Sequence, residues 1–159
     1  MIIALDQISK VWVTRTIPVH ETVPIISGVL NLVQVRNRGM AFGILNRVAT
    51  DWQSYVLIAA TLGAVGIIVL WFTRLEDGSH GTVIGLSLVL GGAIGNLIDR
   101  IRLGEVIDFL DFYVGHSHWP AFNLADSAIT VGTFWLAVCL LFFNQAPPGN
   151  RKRSKERSD

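Results

Sequence analysis

The sequence predicts an all-α membrane protein carrying a small β element, and three observations predict it. Hydrophobic residues make up 51% of the 159 positions and charged ones 16%, too few to cover the surface of a soluble domain of this size. Three stretches are long, apolar on every face and almost free of charge. A further segment, between Pro18 and Leu45, switches to β-branched residues and turn signals.

Taken in order, Met1–Thr16 reads as a helix, but only five residues precede Asp6. At about 1.5 Å per residue this segment falls short of a hydrocarbon core of about 30 Å. Either a partial first helix stands here or the start lies upstream. A signal peptide is not expected, because Met1–Leu5 is too short for an apolar region and no basic segment precedes it. ETVPIISGVLNLVQVRNRGMAFGIL alternates around Asn31–Val35 and carries turn signals at Ser27-Gly28 and Arg38-Gly39, which predicts a short sheet on one membrane face. Ser54–Thr73 is the first full span and Asp77–Gly81 a tight turn on the opposite face. Thr82–Ile98 is the second span, rich in the small residues that let helices approach in lipid. Its glycines from Gly81 to Gly95 could form an apolar lateral opening, although such a run more often serves helix packing. Asp99–Ala121 is expected to be a loop on the sheet's face, and Leu124–Phe143 is the third span, with Asp126 near its start. Residues 1–146 thus form a membrane-embedded domain. The basic tail 147–159, opening on Pro147-Pro148 and ending RKRSKERSD, is expected to be disordered and, by its five basic residues, cytoplasmic. Seven basic residues (Lys10, Arg15, Arg36, Arg38, Arg47, Arg100 and Arg102) fall on the other face, spread over folded segments.

A formal net charge of +1 gives no reason to expect nucleic acid as a partner. The lone cysteine, Cys139, excludes an internal disulfide framework and lies in an apolar run. No repeat halves are visible, which argues against a transporter built from inverted repeats.

Ionisable groups at membrane depth are costly and tend to be functional. Here they gather at one level. Asn96, Asp99 and Arg100 share a helix face at the end of the second span; Asp108 follows in GEVIDFLDF; Asn123 and Asp126 open the third span; Asp6 and Lys10 share a face of the first segment. Each has a plainer reading. Asp99 and Arg100 read as an interfacial ion pair, Asn123 and Asp126 as a helix cap and its third residue, Asp6 and Lys10 as a surface i,i+4 pair, and Asp111 as a solvated rim charge. His116 and His118 lack a third ligand, so no metal is expected; His20 and His80 are read as loop residues. Two acids a few Å apart cannot both ionise cheaply, so they share a proton, one serving as base on water and the other polarising a carbonyl. No serine or cysteine with a histidine at its depth competes. The rival readings are a proton-coupled transporter, an aspartic protease of the Gly-x-Gly-Asp type, whose motif is absent, and a lipid-binding scaffold.

Four blocks resemble the signal peptidase II family: DQISK at Asp6–Lys10, NRGMAFG at Asn37–Gly43, GGAIGNLIDRIRLGEVIDFLDF at Gly91–Phe112, and FNLADSAI at Phe122–Ile129. The resemblance implies four transmembrane helices and an extracytoplasmic β-cradle in the bacterial inner membrane, with the active site near the outer face. It implies a catalytic dyad of Asp108 and Asp126, with Asn96, Asp99, Arg100 and Asn123 lining the site. Asn37 and Gly39 would lie on the cradle, and Asp6 and Lys10 on the first helix. It further implies a prolipoprotein substrate already carrying diacylglycerol, cleaved just before its lipobox cysteine. A monomer among membrane lipids is expected. No cofactor is implied, and inhibition by globomycin is. The sequence departs from the family pattern in the short stretch ahead of Asp6.

Overall fold

The computed structural model describes residues 1–19, 21–39, 52–75 and 80–143. Its elements run α1 (Ile2–Thr16), β1 (Thr22–Ile26), β2 (Leu30–Asn37), α2 (Trp52–Phe72), α3 (His80–Leu103), β3 (Val106–Val114), β4 (Ser117–His118) and α4 (Leu124–Val138), the last continuing as a π-helical turn over Cys139–Phe143. The segments Ser54–Phe72, His80–Leu103 and Leu124–Phe142 are long and apolar enough to cross a bilayer. The second span runs further than the apolar run predicts. It takes in His80 at one end and Asp99–Leu103 at the other, where Asp99 is buried and paired with Lys10 while His80 and Arg102 are exposed. The tail 147–159, His20, Met40–Gly43 of the second motif block, Arg47 and most of the expected turn at Asp77–Gly81 lie outside the described residues.

The central helix is α3, which packs against α1, α2 and α4. Its contact with α4 is a backbone-to-backbone approach. A Cβ on Gly132 would stand 2.8 Å from the Gly85 carbonyl oxygen, and one on Gly92 would collide with the Ala125 carbonyl. The glycines are spent on helix packing, so the lateral acyl opening expected between Gly81 and Gly95 is not what they form. With 15 residues, α1 spans about 22 Å. Ile2 sits against Gly91, halfway along α3, while Val13 and Ile17 at the other end pack under the sheet against Phe109. Ser54 Oγ donates to the Gly104 carbonyl at 3.0 Å, and Trp135 Nε1 to the Gly81 carbonyl at 2.9 Å. These contacts tie the start of α2 to the sheet end of α3, and the end of α4 to the opposite end of α3.

The sheet is antiparallel in the order β1-β2-β3-β4. Gly28 supplies the positive φ of the first hairpin at the expected Ser27-Gly28 turn. The expected loop at Asp99–Ala121 holds β3 and β4 instead. Its strand was hidden because Val106 to Phe109 are all buried, so both faces are covered and no alternation shows in the sequence. One irregularity in this sheet shapes the site. Leu32 pairs with Leu110 and Val35 with Asp108, so β2 carries an extra residue against β3. Asn31 and Asn37, an even number apart, would otherwise face the same way. The bulge turns them to opposite faces, where Asn37 meets Asp108 and Asn31 meets Asp111.

Candidate active site

Two carboxylates meet where β3, α3 and α4 converge. Asp108 lies on β3 and is 2% exposed, whereas Asp126, in the first turn of α4, is partly exposed. Asn123 joins them: its Nδ2 donates to Asp108 Oδ1 at 2.7 Å and its backbone N–H to Asp126 Oδ2 at 3.2 Å. Asn123 does cap α4, with Asp126 closing a capping box, as the plainer reading has it. Cap and acid pair are one structure, since the box holds Asp126 beside Asp108.

Three asparagines aim their NH2 groups at the acids, and in each the amide oxygen is occupied by a donor that fixes its orientation. Asn37 Oδ1 accepts the Gly39 N–H at 2.8 Å, leaving Nδ2 for Asp108 Oδ2 at 2.9 Å. Asn123 Oδ1 accepts the Asp126 N–H at 2.9 Å, leaving Nδ2 for Asp108. Asn96 Oδ1 accepts Lys10 Nζ at 3.0 Å and Asn123 Nδ2 at 3.2 Å, leaving its Nδ2 for Asp126 Oδ1 at 2.7 Å. Gly39 has φ +83°, and a side chain there would run into Leu57 of α2.

Beneath the acids lies a buried charge cluster. Lys10 Nζ contacts Asp6 Oδ2 and Asp99 Oδ2 at 2.8 Å each, besides Asn96, so all three of its protons are taken. Asp6 is 0% and Lys10 3% exposed, which overturns the reading of a surface pair. The Asp6 Oδ1 atom accepts the free N–H of Ala125 at the start of α4, where the helix dipole favours an anion. Asp99 takes Lys10 as its ion partner rather than Arg100. Half-buried Arg100 lies within electrostatic reach of Asp126, Asp108 and Asp99.

Burial is the largest influence on Asp108 and pushes its carboxyl up to about 6. The Asn37 hydrogen bond opposes that rise, the neighbouring Asp126 charge adds to it, and Asn123 and Lys10 pull it back. A carboxyl poised there can exchange a proton near neutral pH, and among the described residues each oxygen of the two carboxylates accepts one hydrogen bond, leaving a second lone pair for water or substrate.

All ten residues singled out in the sequence thus fall at or next to one site, with Gly39 acting through Asn37 and Asp6 through Lys10 and α4. Three others went unnoticed. Gln7 donates to Asp99 Oδ1 at 2.9 Å and to Asp6 Oδ2 and the Gly95 carbonyl at 3.2 Å each. Its signal was present, for it stands three before Lys10 in an apolar helix. Glu105 is buried and paired with Arg36 and Arg38. Asn31 holds Asp111, which is 8% exposed and also contacts His118 Nδ1 at 2.9 Å. Asp111 is therefore not a solvated rim charge. The expectation failed because its partners come from β2 and β4, which the sequence does not place beside it.

The family model for signal peptidase II matches residues 1–142. A lipoprotein signal peptidase of Nitratidesulfovibrio vulgaris is 47% identical over 152 residues, covering 96% of this chain and 91% of its own. One of Oleidesulfovibrio alaskensis is 48% identical over 143 residues, covering 90% of each. A bacterial membrane enzyme solved by the in meso method at 2.3 Å resolution superposes with a TM-score of 0.79 at 29% identity, over 94% of this chain and 90% of that one. With the match running through every motif block and most of the helical bundle, this chain belongs to the signal peptidase II family of peptidases.

Proposed function

We propose that this protein is an aspartic endopeptidase that cleaves the signal peptide from diacylglyceryl-modified prolipoproteins, just before the lipobox cysteine, with Asp108 and Asp126 as its dyad. One observation carries the proposal: a buried and a partly exposed carboxylate are held beside each other by Asn123. Asp108, pushed toward its neutral form, holds the shared proton and gives it to the scissile carbonyl oxygen. Asp126, on the open side, takes a proton from water, and the hydroxide oxygen attacks the carbonyl carbon. The tetrahedral intermediate collapses as Asp126 returns that proton to the cysteine nitrogen and the C–N bond breaks. One hydroxyl of the intermediate gives its proton back to Asp108, which leaves the new carboxylic acid, with both aspartates as they began. Arg100 supplies positive charge beside the developing oxyanion.

The site lies at the sheet end of the bundle, near the ends of spans rather than at their middle, which suits a lipid-anchored substrate arriving within the bilayer. The basic tail supports a cytoplasmic C-terminus and hence a site near the outer face of the inner membrane. Three of the seven basic residues that weigh the other way, Lys10, Arg36 and Arg38, are paired with carboxylates, which weakens their topological pull. Both acids come from one chain, which suits a monomer acting among membrane lipids.

The test is cleavage of a lipidated lipobox peptide by the purified protein, with and without globomycin. Cleavage before the cysteine, lost in Asp108→Asn and in Asp126→Asn, is the expected result. Full activity in either variant removes that residue from the dyad.

A further inference from the structure

Glu105 is a buried acid that the chemistry above does not use. It is 7% exposed, in the turn between α3 and β3. Its Oε1 accepts from Arg36 at 2.7 Å and its Oε2 from Arg38 at 3.3 Å. These arginines flank Asn37. Side chains alternate along a strand, so Arg36 lies on one face of β2 and Asn37 on the other, toward Asp108, and Arg38, just past the strand's end, shares Arg36's partner Glu105. The register agrees: Arg36 pairs with Ile107, two positions from Glu105, while Asn37 pairs with Val106, two from Asp108. The β2–β3 ladder ends at the Asn37–Val106 pair. Beyond it, the Arg38–Glu105 contact continues the tie between the strands, just where Gly39 must return its N–H to Asn37.

We propose that Glu105 is a positioning residue for the peptidase reaction: by gripping Arg36 and Arg38 it holds the end of β2 so that the Asn37 amide stays on Asp108. This rests on the reading of Asp108 as a member of the dyad. Asp108 is faced by Asp126 from α4, Arg100 from α3, Lys10 from α1, and the amides of Asn37 and Asn123. Among these, Asn37 is the one whose backbone sits between the two residues that Glu105 holds.

The experiment measures cleavage of a lipidated lipobox peptide by the full-length protein in detergent, for wild type, Glu105→Gln, Glu105→Asp, Asn37→Ala and the double variant Asn37→Ala/Glu105→Gln. Losing one well-placed hydrogen bond predicts kcat about three- to tenfold lower in Glu105→Gln, with KM little changed. The limb of the kcat/KM profile that titrates near 6 should move upward, as in Asn37→Ala, because that hydrogen bond holds the Asp108 carboxyl down. Glu105→Asp should recover part of the rate, and in the Asn37→Ala background Glu105→Gln should add less than about twofold. A wild-type rate and pH profile in Glu105→Gln, or losses that multiply fully in the double variant, would overturn the proposal. Should Glu105→Gln fail to fold, Arg38→Gln serves instead, since it leaves Glu105 paired with Arg36. The same upward movement is then required, and its absence counts against the proposal. If Asp108→Asn retains full activity, the dyad reading falls. If Asp108→Asn is inactive and the coupling is absent, the positioning role alone falls.

Discussion

Asp108 and Asp111 stand three residues apart on one strand, both buried, each bonded to an asparagine of β2, yet their environments drive them in opposite directions. Burial raises both. At Asp108 it prevails, because the nearest partners are neutral amides and the nearest carboxylate is a like charge, and the carboxyl reaches about 6. At Asp111 burial is outweighed by hydrogen bonds from Asn31 and His118 and by the His118 charge, which hold the carboxyl below its usual range. Depth alone therefore does not make a reactive acid. Amide hydrogen bonds pull both carboxyls down; the two sites part because Asp108 faces the like charge of Asp126, whereas Asp111 has the imidazole of His118 beside it. The bulge in β2 makes this division possible, because it presents one asparagine to each face of β3.

The largest break in the comparison comes from removing the acids. Asp108→Asn and Asp126→Asn should each lower kcat by about 10²- to 10⁴-fold, the usual reach of general acid–base catalysis, while Asp111→Asn keeps most of the rate in the same peptide-cleavage assay. Next is the charge cluster beneath the dyad. Lys10→Met leaves Asp6 and Asp99 without their shared cation and should cost about 3–5 kcal/mol, read as a lowered melting temperature in detergent. Adding Asp99→Asn to that variant should recover part of the loss. A Lys10→Met protein as stable as wild type would mean that water enters the cluster.

Asp108 also sets a pH signature. Its folded value of about 6 lies above the ordinary 3.8, so folding favours the protonated form. That contribution is fully present below about pH 4 and is lost as pH rises through about 6, a change of about 3 kcal/mol at most. Melting curves from pH 4 to 8 should show the decline in wild type and a flatter response in Asp108→Asn. An equal slope in both would place the titration on another group.

The same contrast explains what could be read from the sequence. Helices and spans were legible because their signal is local: a run of apolar residues, or Asn123 three before Asp126. The two candidate acids could be singled out because VIDF and FNLAD are motif blocks, although nothing in either says which way its acid faces. Where the sequence misled, the determining contact was distant. β3 read as a loop because its burial on both faces erased alternation, and Asp111 read as solvated because Asn31 lies 80 residues away. The Asp6–Lys10 spacing was visible, but the burial of the pair depends on Asp99 and on the α4 N-terminus, which only the folded bundle brings to it.

The smallest effect sharpens the contrast from the structural side. Replacing Asp111 by Asn keeps an acceptor for Asn31 but removes the charge that His118 faces, so about 1–2 kcal/mol of stability should go, with cleavage close to wild type. Because the folded carboxyl lies below its ordinary range, its contribution is present above about pH 4 and fades as pH falls through the lower folded value. Wild type should therefore lose its advantage over Asp111→Asn on acidification, the reverse of the trend at Asp108. His118→Phe would remove the contact with Asp111 while offering a ring to stack on Tyr113, now 5.2 Å away centroid to centroid, and should reproduce part of the loss. If Asp111→Asn instead abolished cleavage with its stability intact, the two acids would not divide into one for chemistry and one for structure, and the dyad would have to be drawn again on β3.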